Sequence, residues 1–256
     1  MIIEKKCIDM ISVLVVGETC LDKFVYCKTE KLSPEAPIPV VVPIETITSD
    51  GMSGNVVRNM FSINQNLSIT HWHQMHIITK TRFVDKKSNH IFLRVDEGDF
   101  NIEKFDDMEY SLDEVRNFDI VVVSDYNKSF LSDQNIIDIG SNSRLSILDS
   151  KRKLNKSIVE KFDFVKLNEK EFDANQDVQD YTNIIVTLGD KGSRFGEDFF
   201  PSTNPKQTID VSGAGDTFTS SFILAYYQTR NIKDSINFAN EMSSIVVSKK
   251  GVSTPN

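Results

Sequence analysis

With 256 residues, of which 39% are hydrophobic and 26% charged, the chain can bury a sizeable core as a single α/β unit of ordinary globular make-up. A formal charge of −8 argues against a general partner of nucleic acid or of an anionic membrane, and no apolar run is long enough to span a bilayer. Cys7, Cys20 and Cys27 are odd in number and lack metal-ligand spacing, so they read as reduced thiols of a cytoplasmic protein, and residues 1–11, with Glu4, Lys5, Lys6 and Asp9, do not read as a secretory leader.

In chain order, residues 11–16 form an apolar run that ends at Gly17 and reads as a buried first strand. Residues 38–44, broken by Pro39 and Pro43, and residues 79–96, broken by charges, are strand-like. They are expected to pair as a small β-sheet off the main body, with the prolines at an edge. His71, His73 and His76 crowd one segment, and His71 and His73 would share a strand face as metal ligands do. No cysteine or carboxylate stands near them, so a plain strand is the simpler reading.

Apolar runs then recur at 120–123, 145–148, 162–167 and 184–188, each closed by Gly, Asp or Asn, with helical periodicity at 135–139 and 154–162. This alternation predicts a mostly parallel sheet covered on both faces, with ligands at the carboxyl ends of its strands. Two helices, 216–228 and 232–249, complete the chain.

The run Asp210-Val211-Ser212-Gly213-Ala214-Gly215-Asp216-Thr217-Phe218 carries the chemistry. Small residues stand where a loop becomes the first turn of a helix, and amides there have no intrahelical partner and lie at the positive end of the dipole. Such a turn can cradle a phosphate, with Asp216 beside it to take a proton from an attacking hydroxyl. The dipole should keep Asp216 ionised near neutral pH. Taken alone, an Asp-capped helix behind a glycine turn has the same appearance. Asn168 and Glu171, three apart after a strand, can face one way, and a carboxylate there suits Mg²⁺; a plain helix-start carboxylate reads equally well.

Together these motifs resemble the ribokinase-like (PfkB) family of carbohydrate kinases, over nearly the whole chain. The resemblance implies a single ribokinase-like α/β domain over 1–256, with a β-lid built from 23–48 and 79–96. It implies ATP and Mg²⁺, with Asp216 as catalytic base and the turn Gly213, Ala214 and Gly215 around the transferring phosphate. Asn168, Thr187, Gly189, Gly192 and Asn240 would lie along the nucleotide, and Glu171 would hold Mg²⁺ through water. Asp22, closing the opening strand, would grip the sugar with Gly51 and Asn55. Asp210 and Ser212 are candidates for a K⁺ site, as in some relatives.

Within the family, segments 32–41, 79–82, 93–96 and 124–128 resemble the heptose 7-phosphate kinases. Lys80, Arg82, Arg94, Asp125 and Lys128 thereby become candidate contacts to a phosphorylated sugar, the cations being equally readable as solvated surface charge. The implied product is heptose 1,7-bisphosphate. A different sugar or a nucleoside as acceptor, or a binding protein without catalysis, are the alternatives, and a homodimer through the lid is the implied assembly.

Three departures stand out. Met52 replaces the second glycine of the family's pair after Gly51, where a side chain would narrow or reshape the pocket. Glu18 replaces the more usual Asp. Residues 61–78 are too few for the strand–helix–strand excursion that the family places there.

Overall fold

Five strands buried on both faces build the centre of the protein in this computed structural model, which describes residues 10–100, 102–202, 213–249 and 253–255. The chain opens with β1 (Ile11–Gly17), then β2 (Thr19–Leu32), β3 (Pro39–Met52), α1 (Ser53–Ile63) and β4 (Leu67–Trp72). Next come β5 (Ile78–Asp85), β6 (Ile91–Glu97), β7 (Ile120–Asp125), α2 (Asp133–Asn142), β8 (Ser146–Ser150) and α3 (Lys156–Val159). The remainder is β9 (Phe164–Asn168), α4 (Glu169–Ala174), β10 (Ile184–Thr187), β11 (Gly192–Phe195), β12 (Asp198–Pro201), α5 (Ala214–Thr229) and α6 (Ile232–Val247).

The main sheet runs β12-β11-β10-β9-β8-β7-β1-β4; it is parallel from β4 to β10 and ends in the antiparallel pair β11 and β12. Alternation along the strands fills two cores. Leu14, Val16, Val121, Val123 and Val165 face one core with Ile136, Ile158 and Phe130. Val13, Val15, Ile120, Val122 and Ile147 face the other with Val56, Phe218, Phe222 and Ile236. Each such fully buried side chain contributes about 1.5–3 kcal/mol. The expected parallel sheet covered on both faces is therefore present.

Residues 154–162 give only the four-residue α3, because Phe162 already turns the chain into β9. The 61–78 segment supplies a single strand, β4, which pairs parallel to β1 at the sheet edge. Trp72 closes that strand, stacked 5.0 Å from Tyr110 and packed near Phe105. His71 and His73 stand 4.4 Å apart, with His71 Nε2 on Ser53 Oγ at 2.8 Å and His73 Nδ1 on the Gln74 carbonyl. Burial and His73 push His71 down to about 3, so it stays neutral. Among the described residues no cluster of metal-ligating side chains forms, and no helix is long and apolar enough to cross a membrane.

The second sheet, ordered β3-β2-β5-β6, reaches further than the sequence indicated, since β2 and β3 run 14 residues each and continue to the main body. Its edge strand β3 carries Pro39 and Pro43, where a missing N–H costs no ladder bond. Asp22, expected at the end of the opening strand, lies in β2 instead.

Met52 joins this sheet to α1 with φ 55° and ψ −133°, a conformation that L-residues avoid. Its side chain lies buried with Cys20 and Ile78 at the base of the second sheet and does not line the main cleft. The strain costs roughly 1–3 kcal/mol and opposes a burial gain of about the same size. Met52→Ala should lower the unfolding free energy by about 2 kcal/mol. Met52→Gly, although smaller, should be about 1 kcal/mol more stable than the alanine variant, because it relieves the backbone. Urea unfolding midpoints check the order; a glycine variant below the alanine variant would remove the case for strain.

Candidate active site

A cleft of about 430 Å³ opens at the carboxyl ends of the central strands. Its floor is the turn into α5: Gly213 adopts φ 82°, α5 begins at Ala214, and among the described residues no side chain caps the helix. The first-turn amides are thus available to an anion, and the dipole of a 16-residue helix points its positive end at them. Gly213, Ala214, Gly215, Asp216, Asn168, Thr187, Gly189, Gly192 and Asn240, all singled out in the sequence, line this one cleft. Asp210 and Ser212, the K⁺ candidates, lie outside the described residues, as does Cys7.

Asp216 is buried in the first turn of α5. Its Oδ2 accepts from Asn55 Nδ2 at 2.8 Å, and its Oδ1 accepts from the Tyr126 hydroxyl at 2.9 Å. Asn55 is held in turn by Asn59 one helical turn on, and Thr217 donates to Asn59 Oδ1 at 2.8 Å. Burial first, and the charge of Asp149 second, raise Asp216 to about 6; Asn55, Lys166 and Tyr126 temper the rise. The sequence argument from the dipole gave the opposite direction. It omitted desolvation, which outweighs the dipole once the carboxyl leaves water.

Beneath the turn, Lys166 Nζ bonds Asp149 Oδ2 at 2.8 Å, and Thr219 Oγ1 donates to the same oxygen at 3.1 Å. Burial alone would raise Asp149; Lys166 and Lys151 override it and hold the group down at about 2. A Cβ on Gly215 would come within 2.8 Å of the Lys166 ammonium, so this position needs a glycine to admit the cation under the amides. Lys151 reaches Asp149 at 3.4 Å and Glu171 at 2.8 Å, and these two carboxylates raise its affinity for its proton despite burial.

Glu171 and Asn168 cap α4 reciprocally, at 2.8 and 2.9 Å. Glu171 therefore stands one bond from the cleft wall, touching both Asn168 and Lys151. Two lysines face three carboxylates here (Asp149, Glu171 and Asp216), so the cluster cannot by itself neutralise a polyphosphate. A divalent cation held by one carboxylate, phosphates and water fits such a donor set without a protein cage.

The sugar candidates sit apart. Asp22 pairs with Arg82 Nη1 at 2.5 Å, packed so closely on β3 that a Cβ on Gly51 would collide with it. Arg94 grips Asp96 through two hydrogen bonds, Lys80 lies 3.9 Å from the same Asp96, and Lys128 holds Asp99 at 2.6 Å. None of these residues lines the cleft; Asn55 and Tyr126 connect the two regions through Asp216. Asp125 departs from its expected role. It is fully buried, and its oxygens accept from Arg152, Ser150 and the Asn127 amide, which fixes a loop and leaves nothing for a sugar.

Tyr126, Asp149, Lys151 and Lys166 were not singled out in the sequence. The available signal was a charge inside an apolar run: Lys166 falls within β9 and Asp149 within β8, where a solvated side chain has no room.

A profile of the pfkB family carbohydrate kinases matches residues 65–256. The bifunctional protein HldE of Haemophilus influenzae (strain PittEE) is 28% identical over 94% of this chain, which spans 61% of HldE's own length. Among solved structures, ribokinase from Thermotoga maritima aligns with a TM-score of 0.69 at 18% identity over 94% of both chains. Phosphofructokinase-2 from Escherichia coli, in complex with fructose-6-phosphate, gives 0.71 at 16% identity over 93% of this chain and 94% of that one. The matched residues run from β4 to α6 and include every side chain and amide that lines the cleft: the chain belongs to the pfkB family of carbohydrate kinases.

Proposed function

We propose that the protein is an ATP- and Mg²⁺-dependent kinase that transfers the γ-phosphoryl group to a hydroxyl of a phosphorylated sugar, heptose 7-phosphate being the first acceptor to test. One observation carries the reading: a buried carboxylate and the first-turn amides, uncapped by any described side chain, meet at a single helix N-terminus, within one cleft. In this reading Asp216 accepts the proton of the acceptor hydroxyl as its oxygen bonds to the γ-phosphorus and ADP departs. The amides of 213–216 and the ammonium groups of Lys151 and Lys166 face the charge on the transferring group. Mg²⁺, bound beside Glu171, would supply the neutralisation that the lysines lack. The relatives named HldE and the segments around Lys80, Arg94 and Lys128 support the heptose acceptor.

A second reading, an acceptor without a phosphate, draws on the ion pairs. Lys80, Arg82, Arg94 and Lys128 each already have a carboxylate partner with which a sugar phosphate must compete. The apolar residues Val42, Ile44, Ile47, Ile91 and Leu93, exposed on the second sheet, support pairing of two copies through that sheet.

ADP release with Mg·ATP should be confined to heptose 7-phosphate in a panel that includes fructose 6-phosphate, ribose and no acceptor. Turnover with ribose alone would favour the second reading, and ATP binding without turnover on any acceptor would favour a binding protein. Asp216→Asn should lower kcat about 10²–10⁴-fold while ATP affinity and melting temperature hold; an unchanged kcat would remove Asp216 from the role of base.

Because Asp216 titrates near 6, kcat/KM should fall as the pH drops through that value, where the base takes up a proton. Asp149→Asn keeps an acceptor for Lys166 and deletes the charge that raises Asp216. The acid limb should then move to lower pH, and an unmoved limb would disconnect Asp149 from the base.

A further inference from the structure

We propose that the Tyr126 hydroxyl occupies the acceptor position beside Asp216 until a sugar hydroxyl displaces it, and so denies the base to water. This rests on the kinase reading of the cleft. An acceptor alcohol must donate its proton to one of the two Asp216 oxygens from hydrogen-bond distance. Oδ2 is taken by Asn55, which cannot easily turn away, because Asn59 bonds both its carbonyl and its side chain and is itself held by Thr217. Oδ1 is the oxygen left for an acceptor, and Tyr126 donates to it at 2.9 Å, with the ring in the wall of the same cleft as the 213–215 amides. A hydroxyl donating to the base next to a phosphate cradle has the geometry of an acceptor.

The loop that carries Tyr126 is built to hold it there. Glu18 is fully buried and reaches across to accept the amides of Tyr126 and Lys128 at 2.8 Å and of Phe130 at 3.3 Å. Asp125 is locked by Arg152 and Ser150 on the other side. Asn127 and Ser129 both take positive φ, 55° and 77°, strained values that this anchoring sustains. Neither Glu18 nor Asp125 has any part in the chemistry proposed above, and together they fix one tyrosine.

The ring also packs against the Cys20, Met52 and Ile78 cluster at the base of the second sheet, the sheet that bears Asp22 and Arg82. What binds a sugar there therefore bears on the residues that seat the ring. Burial and the neighbouring Asp216 charge push the phenol above its ordinary value, so it stays a neutral donor and does not become a phenoxide nucleophile.

The reaction suppressed is hydrolysis: water oxygen bonds to the γ-phosphorus, the bond to the β–γ bridging oxygen breaks with its electrons leaving on ADP, and the water proton passes to Asp216. Tyr126→Phe removes one oxygen and keeps the ring. With Mg·ATP and no acceptor, ADP and inorganic phosphate release by this variant should rise about tenfold or more over the wild type, the scale of one hydrogen bond to a charged group. Tyr126→Phe combined with Asp216→Asn should abolish the gain, and ATP affinity of Tyr126→Phe should match the wild type.

Unchanged or lower hydrolysis by Tyr126→Phe would overturn the proposal. So would phosphate found on Tyr126 of the wild type after incubation with Mg·ATP, since the hydroxyl would then be an acceptor itself. Transfer to the sugar panel by the wild type is scored separately. A wild type that transfers beside a Tyr126→Phe variant that does not hydrolyse overturns this inference alone. A wild type that transfers to nothing, beside a hydrolysing variant, overturns the acceptor reading and leaves this one standing.

Discussion

Asp149 and Lys166 form an ion pair sealed beneath the first turn of α5, and the arrangement of the cleft follows from it. They are direct partners in the register of β8 and β9, so the parallel sheet itself brings the charges together. Two charges in such a place are costly to desolvate unless they meet and find further hydrogen bonds, which Thr219 supplies. Removing one partner would strand the other, at a cost of about 3–5 kcal/mol. Around this pair the neighbours have little choice. Gly215 lacks a side chain where the ammonium enters, Lys151 bridges the pair to Glu171, and Glu171 caps α4 with Asn168.

Asp216 experiences all of these fields at once. The dipole of α5 favours its charge by at most about 1–2 kcal/mol near a helix end, and falls off within a turn. Desolvation and the charge of Asp149 act against ionisation and prevail, while Lys166 limits how far they go. The outcome is a carboxylate that titrates close to neutrality, as a group that both accepts and releases a proton must. A base in open water at the same helix end would be a weaker one.

The frame of the fold was readable because its strands are buried on both faces and so appear as unbroken apolar runs; β1, β7, β8, β9 and β10 all stand where those runs stand. The glycine turn was readable for a local reason, small residues followed directly by a buried helix. What escaped notice depends on distance along the chain. Glu18 meets Tyr126 and Lys128 across more than a hundred residues, and the isolated sequence presents it only as an odd acid after Gly17. Asp125 became a sugar candidate through the resemblance of segment 124–128, and only the approach of Arg152 from beyond β8 shows it to be an anchor. The direction of the Asp216 shift was missed for the same reason, since burial is a property of the assembled cleft.

Trp72 closes β4 at the far edge of the main sheet, stacked on Tyr110, and it is the sole tryptophan of the chain. No tryptophan lines the cleft or lies in the second sheet. Ultraviolet emission from this protein is therefore an address as well as a signal: it reports the docking of one edge strand and the aromatic cluster beneath it, against Phe105 and Phe118. Among the aromatic side chains only this indole is unique, so its emission follows the edge that the short 64–77 connection builds, whereas the six tyrosines are spread from the second sheet to α5 and one of them, Tyr110, lies against it.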